Sequence, residues 1–537
     1  MNKVFIIAFF LLSFSGYSQE DAWVYFNDKP DAATQLNAPL NFLSQRALDR
    51  RNNQGIALTQ NDVPIYQPYI DGITSASGIT VMAKSKWLNC LHIQGSVDDI
   101  NALTALAYVN HVHFADASLN LKRPTPRTIV PVNKQMEVQT SFNYGNSNNQ
   151  IQMLNGQLLH QQNFTGTGKI IAVLDSGFIN VNTTAPFQRL FDNNLILGGY
   201  NFVSRSTDVY SLHNHGTSTL SCMGGFVDGE LVGTAPDAQY YLFVTEDVTQ
   251  ESPVEESYWV EAAEEADRLG ADVISTSLGY YEFDNPNYGH FYDDFTGDEA
   301  FASKGANIAF SKGMIIVASA GNSGGSPEPS NHVGVPAEAN NVLAIGAVKN
   351  DESYATFSSI GPSFDGRIKP DVMAQGQACT VANTSGTIQT ASGTSFSCPI
   401  MAGMIASFWQ ALPSLSNQQI VDLVKQSADR FANPTMQFGY GIPDFQLALT
   451  NGLSVASNSN PKFLLFPNPV KNTISFVFPN DFENAKLTIY TALGQKIKES
   501  EISIATPSVS LEELNSGIYV YKIENATFSQ SGKIIKN

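Results

Sequence analysis

The sequence predicts an α/β protein: a parallel sheet with helices on both faces, preceded by a small α+β unit and followed by a small all-β sandwich. Three observations carry this. From about residue 150 to 453, short and continuously apolar runs alternate with helical stretches, the pattern of strands buried on both faces. Before it, residues 22–122 read as short strands and helices. After residue 454, strand-like runs recur at short intervals with turn residues between them. At 537 residues the chain is also too long for one core.

Composition narrows the function classes. Hydrophobic residues at 43% and aromatics at 11% are ample for a large buried core. A formal charge of −19 and a pI near 4.8 argue against nucleic acid or an anionic membrane as partner, and read as a solvated acidic surface.

In chain order, Met1-Asn2-Lys3, the apolar run 4–12 and the small residues up to Ser18 read as an export signal, residues 1–18. The run is short of the ~20 residues that a membrane span needs, and no later segment qualifies, so no transmembrane segment is expected. Residues 19–149 form the first unit and its linker. Strands are expected at 23–26, 87–94 and 109–114 and helices at 44–51 and 97–106, in a βαβ-like order. Residues 124–149, rich in Pro, Thr, Asn, Ser and Gln, are expected as an exposed linker, with a proteolytic cut between Leu121 and Gln150.

Residues 150–453 carry strands at 170–174, 239–245, 272–277 and 314–320, and helices after His215, at 254–269 and at 298–312. Glu255, Glu256, Glu261, Glu264 and Glu265 read as the solvated face of the second of these helices. Residues 454–460 read as a linker, and residues 461–537 as a sandwich with strands at 463–466, 473–478, 485–490, 517–523 and 531–536. Four cysteines invite disulfides in an exported chain, yet Cys90 falls in the first unit and leaves Cys222, Cys379 and Cys398, an odd number. Buried thiols are the expectation.

Three stretches carry chemistry. Gly393-Thr394-Ser395-Phe396-Ser397-Cys398-Pro399 feeds an apolar helix, with Pro399 expected in its first turn, where no intrahelical partner is lost. Ser395 then lies at or just before a helix N-terminus, where free N–H groups and the dipole favour developing negative charge. The run 169–174 ends in Asp175-Ser176-Gly177, and His213-Asn214-His215-Gly216-Thr217 opens a small-residue helix. Singly, these are an N-cap, a strand-end cap and a turn histidine. Together they stand in the order Asp, His, Ser, with separations of 40 and 180 residues.

In order, context and spacing these segments resemble the three signature segments of the subtilisin-like serine peptidases, peptidase family S8. The resemblance implies a triad in which Ser395 attacks the scissile carbonyl, His215 moves the proton and Asp175 orients the imidazole. His213 stays a polar turn residue. Ala318-Ser319-Ala320-Gly321-Asn322-Ser323-Gly324 resembles the family's oxyanion segment, with the Asn322 amide and the Ser395 N–H as donors. Ser275-Thr276-Ser277-Leu278-Gly279 resembles the edge that pairs with substrate backbone, which implicates Ser277, Leu278, Gly279, Ala320 and Gly321 in substrate binding.

By its place, the first unit resembles the inhibitory pro-domain of such enzymes. No cofactor is required for this chemistry. Many members use calcium structurally, and Glu282, Asp284, Asp293, Asp294 and Asp298 offer carboxylates in one loop, without EF-hand spacing.

Phe466-Pro467-Asn468-Pro469-Val470, the segment 487–495, Leu514-Asn515-Ser516-Gly517-Ile518-Tyr519 and the basic end 533–537 resemble the C-terminal sorting domain of the type IX secretion system. That implies recognition of residues 461–537 by the secretion machinery, and a secreted protein, or one attached to the outer cell surface. The reading is a secreted serine endopeptidase made as a zymogen and acting on proteins or peptides. A catalytically silent surface-binding relative and a serine esterase on the same scaffold are the alternatives.

Overall fold

The computed structural model describes residues 19–120, 142–459, 463–466, 468–478, 483–491, 494–525 and 529–537. The export signal and most of the expected cleavage segment lie outside the described residues. Two compact units emerge, one up to Leu453 and one from Ser454.

The first unit opens with a four-stranded sheet of β1 (Glu20–Phe26), β2 (Thr80–Ser85), β3 (Cys90–Gly95) and β4 (Val109–Phe114), in the order β2-β3-β1-β4. Neighbouring strands are antiparallel, so β1 runs parallel to β2 across β3, and β3 parallel to β4 across β1, each pair joined through helix: two split βαβ units, in keeping with the βαβ-like order. Alternation along β1 puts Ala22, Val24 and Phe26 on one face, in a core with Leu91 and Ile93. The other face, with Trp23, Ala83 and Cys90, belongs to the core of the larger domain that follows. Helix α1 (Gln45–Asn53) is capped by Ser44, whose Oγ accepts from Ala47 N at 3.2 Å.

The domain that follows is built on seven strands: β5 (Ile170–Asp175), β6 (Ile196–Asn201), β7 (Gln239–Val244), β8 (Val273–Thr276), β9 (Ile315–Ser319), β10 (Val342–Val348) and β11 (Val372–Gln375). Their order is β11-β10-β9-β8-β5-β7-β6, and every pair is parallel. The central strands are continuously apolar because helices cover both faces. Helices α3 (Val254–Leu269) and α4 (Phe301–Ser311) pack on Ala172, Leu174, Ile274, Ile316 and Ala318. Helices α2 (His215–Gly224) and α5 (Thr394–Ala411) pack on each other and on the sheet's other face.

The structure departs from the sequence reading in three places. Phe142 to Asn149 is not exposed linker: Tyr144 and Ser147 are buried, the Tyr144 hydroxyl meets His160 at 2.9 Å and Ser147 Oγ accepts from Val232 N at 2.9 Å. Polar side chains there satisfy buried groups rather than solvent. Residues up to 459 continue helix α6 (Phe445–Ser459), with no proline before 461 to stop it. Third, Glu255, Glu256, Glu261 and Glu264 are buried, because the first sheet and the 280–300 loop lie over that face of α3. Glu264 accepts from Ser85 Oγ at 2.7 Å and Trp87 N at 2.9 Å, and Glu256 pairs with His290 at 2.7 Å.

The second unit forms two antiparallel sheets, one of three strands including Leu464–Phe466, Thr473–Val477 and Ser508–Ser510, the other of four including Asn484–Thr491 and Gly517–Glu524. They enclose one core with Ile474, Phe476, Leu487, Ile489 and Ile523. Among the described residues no helix is long and apolar enough to cross a membrane.

Candidate active site

Parallel strands end together at their carboxyl edge, where ligands bind in open α/β sheets. Register places Asp175 of β5 beside Val244 of β7, and Thr276 of β8 between Leu174 and Ala318. The segments 277–279 and 320–322 therefore leave the sheet side by side, next to Asp175.

Asp175 is fully buried and held from three sides. Its Oδ1 receives the Ser176 N–H at 2.8 Å and meets His215 Nδ1 at 2.8 Å, while Oδ2 receives Thr219 Oγ1 at 2.9 Å. His215 is the first residue of α2 and its side chain is 28% exposed. The Asp175 charge, opposed by burial, holds its imidazole above the ordinary value. The turn after Asp175 and the start of α2 approach this closely because both carry glycine: a Cβ on Gly216 would lie 2.4 Å from Gly177 O. His213 points elsewhere, its Nδ1 on Ser176 Oγ at 2.9 Å.

Ser395 is the second residue of α5 and half-buried, and the Phe396 ring lies 6.3 Å from the His215 ring. Thr394 N and Oγ1 both donate to Asn322 Oδ1, at 2.8 and 3.0 Å. That fixes which way the amide faces and leaves Nδ2, on an exposed residue, directed away from Thr394. Gly321, at φ 99°, donates its N–H to Thr394 Oγ1 at 3.2 Å. Of the other segment, Leu278 is half-buried and Gly279 exposed, whereas Ser277 and Ala320 are buried.

Pro399 lies in the interior of α5, not in its first turn, so the carbonyl of Ser395 has no i+4 N–H to receive. Ser277 Oγ donates to that carbonyl instead, at 2.9 Å.

Residues 166–442 match the Subtilase family, peptidase S8. The chain belongs to the subtilase family. It is 30% identical over 302 residues to subtilisin NAT of Bacillus subtilis subsp. natto and to subtilisin E of Bacillus subtilis (strain 168), covering 56% of this chain and 70% of each relative. Residues 21–130 match the Bacteroidota peptidase S8 propeptide domain, and residues 464–537 the secretion system C-terminal sorting domain. The epidermin leader peptide processing serine protease of Staphylococcus aureus shares the fold, with a TM-score of 0.54 at 16% identity over 80% of this chain and 98% of that one. The subtilase is thus a serine endopeptidase made with a pro-segment and carrying a sorting domain for export, either secreted or attached at the cell surface.

The calcium expectation does not fit this subtilase's loop. Asp294 caps Phe291 N at 2.8 Å and Asp298 meets Asn307 Nδ2 at 3.2 Å, each within its own stretch of chain, while Asp284 faces the N–H of Glu251, 33 residues upstream, at 3.3 Å. Among the described residues no three metal-binding side chains converge. All four cysteines are free and buried. Two contacts escaped the sequence reading, Thr219 on Asp175 and Thr394 on Asn322. Thr219 stands at i+4 from His215, a spacing that shares one helix face and could have flagged it.

Proposed function

We propose that this subtilase hydrolyses peptide bonds through an acyl-enzyme on Ser395. Ser395 Oγ attacks the substrate carbonyl while His215 Nε2 takes its proton. Asp175 holds Nδ1–H and stabilises the imidazolium. The oxyanion that forms takes the Asn322 amide and the Ser395 N–H at the positive end of α5. The imidazolium then protonates the leaving amine, and water repeats the sequence to free Ser395. Substrate backbone pairs along Ser277, Leu278 and Gly279 on one side and Ala320 and Gly321 on the other, an arrangement that grips main chain with little side-chain selectivity. Cleavage between Leu121 and Gln150 separates the pro-segment, and residues 461–537 are read by the type IX machinery. The observation that carries the reading is the buried Asp175 bonded to His215 Nδ1, with Ser395 at the adjoining helix N-terminus.

The test is fluorophosphonate labelling of the secreted protein beside Ser395→Ala, with intact mass for both. Adduct and loss of the N-terminal segment in the parent alone are expected. A folded parent freed of its pro-segment that takes no label overturns the assignment.

A further inference from the structure

Helix α1 of the pro-segment lies across the carboxyl ends of α3 and α4, at the edge of the sheet opposite to Asp175 and Ser395. What it meets there is polar throughout. Ser44 N donates to Arg268 O at 2.9 Å, and Arg46 reaches Gly270 O at 3.0 Å, Gly168 O at 2.9 Å and Asp272 at 2.5 Å. Arg50 donates to Ala271 O, to Asp267 and, at 3.2 Å, to Lys312 O. Arg51 bridges Asp267 at 2.8 Å and Asp62 at 2.9 Å, and Asp62 takes Lys312 at 3.0 Å. The side chains of Arg50, Arg51, Asp62 and Asp267 are at most 4% exposed.

The chemistry of the surface explains why arginine suits it. Two helices end there, so their last carbonyls and the negative ends of their dipoles converge beside the Asp267 and Asp272 carboxylates. A guanidinium satisfies several such acceptors at once from one planar fork. The exchange is also reciprocal. The pro-segment gives Arg50 and Arg51 to Asp267 of the peptidase, and the peptidase gives Lys312 to Asp62 of the pro-segment. A pro-segment lacking either half would leave a buried charge unpaired, which an interface tolerates least.

We propose that this reciprocal exchange is a docking lock, remote from the cleft, that holds the severed pro-segment on its own peptidase and rejects pro-segments that lack it. The lock rests on the pro-segment reading and is independent of whether Ser395 is the nucleophile.

The experiment uses the full chain carrying Ser395→Ala, with a recognition sequence for an unrelated site-specific protease placed within residues 121–141. After the cut, size-exclusion chromatography and a dilution chase followed by mass measure how fast the pro-segment leaves. The parent segment stays bound. Arg50→Gln with Arg51→Gln, or Asp267→Asn on the other side, speeds departure at least about a hundredfold, whereas Arg46→Gln, whose side chain is 39% exposed, changes it less than about tenfold. Combining Arg50→Gln and Arg51→Gln with Asp267→Asn speeds departure little more than either change alone, a non-additivity that general loss of packing does not give. Where the arginine variants fail to fold, Asp267→Asn decides alone. Prompt loss of the parent segment, parent-like retention in the Arg50/Arg51 or Asp267 variants, or additive effects in the combination overturns the proposal.

Discussion

Asp175 meets His215, Ser176 and Thr219 at once, so its carboxylate is fixed in position. His215 acts as a base only when unprotonated, and the Asp175 charge raises its pKa. Activity on a peptide substrate therefore climbs with pH through a midpoint above about 6.5. Asp175→Asn removes that stabilisation of the imidazolium: the midpoint moves down and kcat falls about 10⁴-fold. A pH–rate profile of both proteins checks this, and an unmoved midpoint would contradict it. Asn322→Ala is expected to lower kcat about 10²–10³-fold with little change in KM, a range that comes from subtilisin's own asparagine. The residues in these predictions were legible in the sequence because each sits in a short local motif. Thr219 and Thr394 were not, since a threonine near a helix start has many ordinary uses and only the fold brings it to its acceptor.

Among the elements, α5 and the segment after β8 are tied by one bond, Ser277 Oγ to Ser395 O. Ser277→Ala leaves that carbonyl without a donor, a loss of about 1–3 kcal/mol. Pro399→Ala supplies an N–H four residues on, so the double variant should lose less than Ser277→Ala alone. Denaturant unfolding in a Ser395→Ala background measures the coupling, and strictly additive effects would exclude the exchange. The loop after β7 offers a second prediction. Burial pushes Glu246 up to about 8, although Thr245 and Tyr280 donate to it, and burial and the Glu246 charge push Glu255 up to about 9. Over that range the folded chain keeps protons that the unfolded chain has lost, so stability falls as pH rises from about 4.5 towards these values. Glu246→Gln should flatten the slope of melting temperature against pH. Strands β5, β7, β8 and β9 were legible as apolar runs, whereas β6, β10 and β11 were not read. The buried glutamates of α3 were not, because what covers Glu261 and Glu264 comes from about 180 residues upstream.

Across the whole molecule, the three-part organisation was legible from changes of texture alone, whereas its joints at 142–149 and 454–459 were misread because polar composition does not distinguish a linker from a helix end or a buried polar segment. The sorting unit has a core of its own. A chain ending at residue 460 should keep the melting transition of the larger unit yet fail to reach the medium, which fractionation of cells would show. The pro-segment interface has a further consequence, one of timing. A surface that is dry in the zymogen and wet in the released enzyme has to suit two solvents in succession. Had the pro-segment been held at α1 by leucines and phenylalanines, its departure would leave an adhesive apolar patch on an enzyme working outside the cell. Carboxylates, an ammonium and helix-end carbonyls hydrate readily once uncovered, so the part of the surface beneath α1 stays wettable, whereas the part beneath Trp23, Ala83 and Cys90 is left apolar.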